Sequence, residues 1–100
     1  MNQYHVKIPS IANIELEEIS RYIDIDNPQA SGPFVKGLRR FILKRLSFMP
    51  LSGRIVDHEV RSIPYKRYNI FYTVDENQRV VTVIHVFAGG RDWENIIRPN

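Results

Sequence analysis

The sequence contains no cysteine and no long hydrophobic run. Without cysteine the chain forms neither disulfide bonds nor thiolate metal sites, which fits a reducing compartment. No segment approaches the roughly 18 apolar residues that a membrane span needs, and the N-terminus lacks the apolar core of a secretory signal. We therefore expect a soluble, unprocessed, cytoplasmic protein that has no membrane partner.

Motifs that hold nucleotides or metal ions are also missing. There is no glycine-rich phosphate loop, and His5, His58 and His85 are far apart, without the spacing of paired metal ligands. No Ser–His–Asp set can be assigned from spacing either. The sequence therefore predicts neither a metal site nor a cofactor.

The chain has 100 residues and a hydrophobic fraction of 43%, which predicts a single domain over residues 1–100. Its net charge of +3 hides an uneven distribution. Residues 1–30 carry two cations against five anions, whereas residues 31–72 carry nine cations against two anions. The basic middle favours an acidic protein segment or a nucleic acid as partner, although part of it can neutralise the acidic first helix.

Hydrophobic spacing predicts a short strand over residues 4–8, followed by two helices. The first helix begins with Ser10 as its cap and ends near Ile23, because apolar residues recur there at helical spacing. A turn over residues 24–28 follows. Pro28 and Pro33 are both possible starts of the second helix, and we favour a loose turn from Pro28 with a firm helix from Pro33. The two helices should pack antiparallel.

The residue pattern of the second half of the chain predicts β-strands. Residues 50–72 are predicted to form a turn, a strand, a basic loop and the start of a second strand, with β-branched residues on either side of a short polar interruption. Residues 68–74 and 80–87 form a hairpin around a polar turn. Gly53, after the second helix, can adopt a positive φ. In the last strand, alternation places Val81, Val83, His85 and Phe87 on one face and the even-numbered residues on the other. Since both faces are apolar, loops, the C-terminus or a partner must cover one of them.

Cations and tyrosines alternate through the stretch before the hairpin. These residues suit contacts to an anionic or aromatic partner, but they also fit a solvated sheet edge, and the tyrosines fit half-buried packing. The candidate target-binding residues are Arg54, Arg61, Lys66, Arg67, Arg91 and Trp93.

Metal-free RNA cleavage is an alternative use of the same region. It requires a general base, a general acid and cations for the phosphate. The candidates for these roles are Arg54, Arg61, Lys66, Tyr72, His85 and Arg91. His85 lies inside an apolar strand and can equally be a packed core histidine.

The ordered motifs resemble the RelE/ParE superfamily of toxins from type II toxin-antitoxin modules. They comprise Asn27-Pro28, Gly53-Arg54, Val60-Arg61, alternating residues from Tyr68 to Tyr72, and Arg91-Asp92. The resemblance implies an α+β fold of order β-α-α-β-β-β, with a helical hairpin packed on a mainly antiparallel sheet. The Asn-Pro turn, the Gly-Arg pair and the Arg-Asp ending are more similar to the ParE branch.

The two branches imply different targets. ParE-like toxins are associated with DNA gyrase, whereas RelE-like toxins cleave mRNA on the ribosome, and both bind a cognate antitoxin, ParD-like or similar. Many relatives carry histidine where this chain has Ala88, and no residue after His85 can serve as a neutral-pH base. We therefore expect a gyrase inhibitor that is not an enzyme. The alternatives are a ribosome-dependent endoribonuclease and a non-toxic relative that only binds antitoxin.

Overall fold

The computed structural model describes residues 3–89 and residue 97. Within these residues, β1 (His5–Lys7) is followed by α1 (Ser10–Asp26) and α2 (Pro28–Phe48). A short 3₁₀ turn (Pro50–Ser52) then leads to β2 (Arg54–Asp57), β3 (Val60–Tyr65), β4 (Tyr68–Asp75) and β5 (Val80–Ala88).

The strands form a five-stranded sheet in the order β1-β5-β4-β3-β2. β1 pairs with β5 in parallel, and the other neighbours pair antiparallel. The N-terminal strand therefore lies beside the last strand, while the rest of the sheet is a meander. This arrangement confirms the predicted α+β fold with a mainly antiparallel sheet.

The single strand predicted after Gly53, with its short polar interruption, is two strands, β2 and β3, joined by a tight turn. His58 adopts a φ of 48° in this turn, and the register between β2 and β3 shifts between Ile55 and Asp57. The polar residues Asp57, His58 and Glu59 thus reverse the chain, because polar side chains are well solvated at a tight turn. The sheet gains an edge strand, β2, as a result.

Helix α1 begins and ends differently from the prediction. Pro9 occupies the N-cap position, and no side chain caps the helix, so Ser10 is its first residue. The helix continues to Asp26, and Asn27 alone separates it from α2. The aspartates of the predicted turn therefore form the last turn of α1.

Helix α2 begins at Pro28 and runs through Pro33, so the prediction of a firm start at Pro33 is wrong. Ser31 explains the earlier start. Its hydroxyl is buried and donates a hydrogen bond to the Asp24 carboxylate, and it also lies 3.3 Å from the Pro28 carbonyl oxygen. These contacts fix the first turn of α2 against the end of α1.

The two helices pack against each other and cover one face of the sheet. Arg39 on α2 donates a 2.6 Å hydrogen bond to the side-chain oxygen of Asn13 on α1, and Ser31 contacts Asp24, so the helices are antiparallel. The core between helices and sheet contains Ala12, Leu16, Ile19, Leu38, Ile42, Leu46, Ile63, Ile70, Tyr72, Val81, Val83 and Val86.

A β-bulge changes which side of β5 faces the helices. Phe71 pairs with His85 and Tyr72 with Val83, so Ile84 is an extra residue in β5. Val86 therefore joins Val81 and Val83 in the core. The predicted regular alternation through residues 81–87 is wrong beyond Val83 for this reason.

The sheet face away from the helices is apolar near the bulge. Phe71 and Phe87 are buried there, with their ring centroids 4.9 Å apart. At these two residues the second apolar face is therefore closed to solvent.

Candidate binding surfaces

The loop after α2 is attached to the sheet through Gly53 and Tyr72. The Gly53 N–H donates a hydrogen bond to the buried Tyr72 hydroxyl at 2.9 Å. Burial raises the pKa of Tyr72 above its ordinary value of 10.0, while the Gly53 hydrogen bond and the charges of Arg61 and Arg45 oppose that rise. The hydroxyl is thus a neutral, buried acceptor near neutral pH.

Gly53 is needed here for space and not for a special backbone conformation. Its φ of −76° and ψ of 148° are ordinary extended values, so the positive φ that glycine permits is not used here. A Cβ at this position would collide with the Tyr72 hydroxyl and would lie 2.9 Å from the Ser62 carbonyl oxygen. Glycine is required because the loop passes so close to β3 and β4.

Arg61 attaches the same loop from a second direction. Its guanidinium donates hydrogen bonds to the Gly53 carbonyl oxygen at 2.8 Å and to the Leu51 carbonyl oxygen at 3.2 Å. Arg61, predicted as a target-binding or phosphate-binding cation, therefore also stabilises the loop of its own chain.

Arg45 on α2 completes the attachment. Its Nε donates to the Ser52 hydroxyl at 3.1 Å, and that hydroxyl donates to the Met49 carbonyl oxygen at 2.7 Å. Its guanidinium also lies 5.8 Å from the centroid of the Phe41 ring. Residues 49–53 are consequently held by side chains from α2, β3 and β4.

Arg54 lies on the opposite side of the sheet from Arg61. It pairs with Ser62, the neighbour of Arg61, and successive residues of a strand point to opposite faces. Arg54 is exposed and lines a cavity of about 420 Å³ together with Ser62, Phe71 and Arg45. The cavity lining thus includes two cations, Arg45 and Arg54.

Lys66 and Arg67 form the exposed turn between β3 and β4. Lys66 adopts a φ of 55°, in the left-handed region, and its Nζ lies 5.9 Å from the centroid of the Tyr65 ring. Non-glycine residues rarely occupy that region. The turn presents two adjacent cations at the end of the sheet.

The tyrosines beside these cations pack against α2. The ring of Tyr65 lies 5.9 Å from that of Phe34 and 4.8 Å from that of Phe41, and Tyr68 lies 5.6 Å from Phe34. Tyr65 and Tyr68 are half-buried against the core, and Tyr72 is inside it. The interpretation of this series as sheet packing is confirmed.

His85 is engaged by a carboxylate at the edge of β5. Its Nδ1 lies 2.9 Å from Glu15 Oε2, and the Val86 N–H donates to Glu15 Oε1 at 2.8 Å. β1 covers β5 only as far as Thr82, and among residues 3–89 and 97 no other strand pairs with that edge of β5. Glu15 on α1 accepts the hydrogen bond that a strand would otherwise accept.

The described candidate residues do not converge on one point. Arg54 and His85 lie in one cross-strand row through Ser62 and Phe71, three strand spacings apart. At about 4.8 Å per spacing this separation is roughly 14 Å. Tyr72 is buried on the other face. Arg91 and Trp93 lie outside the described residues.

Sequence reasoning missed Glu15 and Arg45. Glu15 lies three residues after Ala12 and four before Ile19, within the buried stripe of α1, and a carboxylate at such a position indicates a buried polar partner. Arg45 lies four residues after Phe41, the spacing at which helical side chains touch. The position of Glu15 in the apolar stripe and the spacing of Phe41 and Arg45 can both be recognised in the sequence.

A second candidate surface lies along α2, and we name it the α2 groove. It has a volume of about 570 Å³ and is lined by Arg40, Phe41, Lys44, Phe48, Met49 and Tyr65, among others. Its floor is apolar and its rim is basic. Within residues 3–89 and 97, no three histidine, aspartate or glutamate side chains cluster as metal ligands, and no helix is long and apolar enough to cross a membrane.

Comparison with known proteins defines the class of this chain. Its fold, a helical hairpin on a five-stranded mixed sheet, is that of the toxins of type II toxin-antitoxin systems in the RelE/ParE superfamily. The model of one family, the ParE toxin of the type II toxin-antitoxin system parDE, matches residues 6–93. The chain belongs to the ParE toxin family. No curated protein sequence matches it significantly.

Solved structures of toxins share this fold. A chain of the chromosomal ParDE system from P. aeruginosa superposes with a TM-score of 0.77 at 14% identity, covering 88% of this chain and 98% of that chain. A chain of the RelBE2 toxin-antitoxin complex from Mycobacterium tuberculosis gives 0.70 at 20% identity, covering 88% and 93%. The isolated E. coli RelE toxin gives 0.62 at 15% identity, covering 94% and 95%.

Proposed function

We propose that this chain is a ParE-like toxin that inhibits DNA gyrase in the cytoplasm, without a nuclease site, and is neutralised by a cognate antitoxin. The observation that carries the gyrase assignment is the separation of the candidate nuclease residues. His85 is about 14 Å from Arg54, the candidate cation in its cross-strand row, by strand spacing. Tyr72 is buried and already accepts a hydrogen bond from Gly53.

RNA cleavage requires the base, the acid and the cations to act on the same phosphate. A general base must lie within hydrogen-bond reach of the proton that it removes. Side chains stand roughly perpendicular to a sheet, so His85 and Arg54 stay apart unless the substrate bridges them. In nucleases and other enzymes a carboxylate often orients the histidine that acts as general base, and Glu15 contacts His85 in this way. The endoribonuclease is therefore the alternative function to be tested.

The target-binding residues in this proposal are the cations Arg54, Lys66 and Arg67, with Arg91 and Trp93 from the C-terminal region. Arg54, Lys66 and Arg67 are exposed and protrude at the edge and turn of the sheet. Exposed cations attract an acidic surface at long range and contribute to the rate of association. Arg61 contributes indirectly, through the loop that precedes Arg54.

Two assays with the purified protein test this assignment. We expect it to block supercoiling by DNA gyrase and to leave mRNA uncleaved in a translating ribosome extract. Codon-dependent cleavage that His85→Ala or Tyr72→Phe abolishes, in a variant that still folds, would establish the endoribonuclease instead. Inactivity in both assays, with antitoxin binding intact, would identify a non-toxic relative.

Deleting residues 91–100 tests the contribution of the C-terminal region. Arginine and tryptophan are enriched at binding hot spots, so we expect the deletion to relieve the supercoiling block while antitoxin binding persists. Arg91→Ala and Trp93→Ala serve as milder versions, and thermal melting of each variant checks its folding. Undiminished inhibition by all three folded variants would exclude this region from the gyrase contact.

A further inference from the structure

A third concave surface lies between α1 and the edge of β5, and we name it the α1–β5 cavity. Its volume is about 410 Å³, within the range of about 300–1,000 Å³ that is usual for small-ligand sites. It lies beyond Thr82, the residue at which β1 stops pairing with β5. Its apolar lining consists of Val86, Phe87 and Ala88 on β5 and Ile19 on α1. The cavity can therefore accept an apolar stem as well as a polar group.

The charged lining of the cavity is acidic. Glu15 and Glu18 line it from α1, and none of the described residues that line it carries a positive charge. Glu15 is fixed in position, because its Oε2 lies 2.9 Å from His85 Nδ1 and its Oε1 accepts the Val86 N–H at 2.8 Å. Glu18 is exposed and follows Glu15 at i+3, so both carboxylates lie on one face of the helix. The cavity thus presents negative charge in a chain whose net charge is +3.

Two tyrosine rings complete the wall of the cavity. Tyr22 follows Glu18 at i+4 and is 68% exposed, and Tyr68 reaches the cavity from β4, where it pairs with Ala88. Burial raises the pKa of Tyr68 above its ordinary value of 10.0, Tyr22 raises it further, and Arg67 lowers it. Tyr68 is therefore uncharged near neutral pH. The faces of such rings attract ammonium and guanidinium groups.

The lining distinguishes between classes of ligand. Two carboxylates repel a phosphate or a nucleic acid backbone. Across residues 3–89 and 97, no three histidine, aspartate or glutamate side chains gather as metal ligands, so a bare metal ion finds too few donors. Carboxylates, aromatic faces and an apolar floor together suit a cation that is carried on an aliphatic stem.

We propose that the α1–β5 cavity binds an organic cation, an ammonium or guanidinium group on an aliphatic stem. The cationic group lies between the Glu18 carboxylate and the Tyr22 ring, and the stem packs on Val86 and Ala88. Glu15, held by His85 and the Val86 N–H, adds a second negative charge. Free polyamines carry such groups, and so do lysine and arginine side chains. This inference goes beyond the proposed function and does not depend on the identity of the toxin target.

NMR titration of the full chain tests the site with three probes. They are Nα-acetyl-arginine amide, its uncharged isostere Nα-acetyl-citrulline amide, and spermidine. We expect the arginine probe to shift the Val86 and Ala88 amide signals and the Tyr22 ring signals at millimolar concentration. The citrulline probe should bind about tenfold more weakly, because it forms no charge-assisted hydrogen bond. Tighter binding of spermidine indicates a free polyamine as the natural ligand, and tighter binding of the arginine probe indicates a protein side chain; either order supports the site.

Glu18→Gln and Glu17→Gln are a matched pair of variants. Each removes one negative charge from an exposed position of α1, but of the two only Glu18 lines the cavity. We expect Glu18→Gln to weaken binding of the arginine probe by about fivefold or more and Glu17→Gln by less than about twofold. Tyr22→Ala should weaken it by about threefold, whereas Tyr22→Phe, which keeps the ring, should retain the affinity. Thermal melting verifies that each variant is folded.

Three results would overturn the inference. Equal losses of affinity in Glu17→Gln and Glu18→Gln would show a general attraction to the acidic helix. Equal binding of the arginine and citrulline probes would show that the positive charge is not recognised. Absence of binding by both cations at millimolar concentration, or signal changes confined to other parts of the chain, would exclude the cavity as their site. Each of these results leaves the proposed inhibition of gyrase untouched, because the supercoiling assay tests that separately.

Discussion

The hydroxyl of Tyr72, in the centre of the sheet, accepts the backbone N–H of Gly53, 19 residues earlier in the chain, at 2.9 Å. Replacing Tyr72 with phenylalanine leaves this buried N–H without an acceptor, and such a group costs about 1–3 kcal/mol. We expect Tyr72→Phe to lower the free energy of unfolding by that amount in urea denaturation. Tyr22→Phe, at an exposed tyrosine, is the control and should change little.

The same tyrosine predicts a loss of stability at high pH. Burial raises the pKa of Tyr72 in the folded state above the unfolded value of 10.0. The stability that this difference in pKa contributes is therefore fully present below pH 10. As the pH rises from 10 through the folded pKa, the unfolded state releases its proton first and becomes relatively more stable. The difference in unfolding free energy between wild type and Tyr72→Phe should therefore shrink above pH 10. A difference that grows there would contradict this account.

Gly53→Ala should destabilise the protein because the added methyl group has no space. It would lie 2.9 Å from the Ser62 carbonyl oxygen and would displace the Tyr72 hydroxyl. Overpacking of this kind costs about 1–3 kcal/mol. Gly32→Ala is a matched control, because a Cβ there meets nothing within 4 Å and alanine favours a helix by about 0.5–1 kcal/mol. Thermal melting should show opposite shifts for the two variants.

Glu15→Ala should expose the edge of β5. The change removes the acceptor of the Val86 N–H and the partner of His85, which we expect to cost about 1–3 kcal/mol. Hydrogen exchange measured by NMR should show faster exchange of the Val86 amide. Glu17→Ala, on the exposed side of the same helix, should leave that amide protected.

The four described candidate cations should separate into two groups. Arg54→Ala, Lys66→Ala and Arg67→Ala remove exposed side chains, so they should reduce toxicity with stability changes within about ±0.5 kcal/mol. Arg61→Ala removes two hydrogen bonds to the loop and should lower the free energy of unfolding by about 1 kcal/mol. The cost is smaller than for fully buried hydrogen bonds because Arg61 is partly exposed to solvent. Toxicity on expression and urea denaturation measure the two effects. Full toxicity of the three exposed variants would remove this surface from the target contact.

The sequence predicted the parts of the fold that depend on local pattern. The spacing of Leu16 and Ile19, and of Leu38 and Ile42, identified the helices, and the β-branched residues around the polar turn identified the β4–β5 hairpin. The helix limits were less predictable. Ser31 sets the start of α2 through a contact with Asp24, seven residues away, and this contact depends on how the two helices meet.

The candidate site was less predictable than the fold for the same reason. The cations were found by residue type, but their separation depends on strand register, and the bulge at Ile84 cannot be read from alternation. Gly53 was identified as special, yet the reason is the proximity of Tyr72 and not backbone conformation. Glu15 and Arg45 act through partners that only the tertiary structure brings near.

The pairing of β1 with β5 has a consequence for synthesis of the protein. His5 pairs with Val80 and Lys7 with Thr82, so the sheet cannot close until β5 has left the ribosome. Contacts between residues so distant in sequence form late, because the intervening chain must first be ordered. The helical hairpin is therefore made early but remains without its sheet. A nascent chain therefore completes its sheet only after β5 has been synthesised.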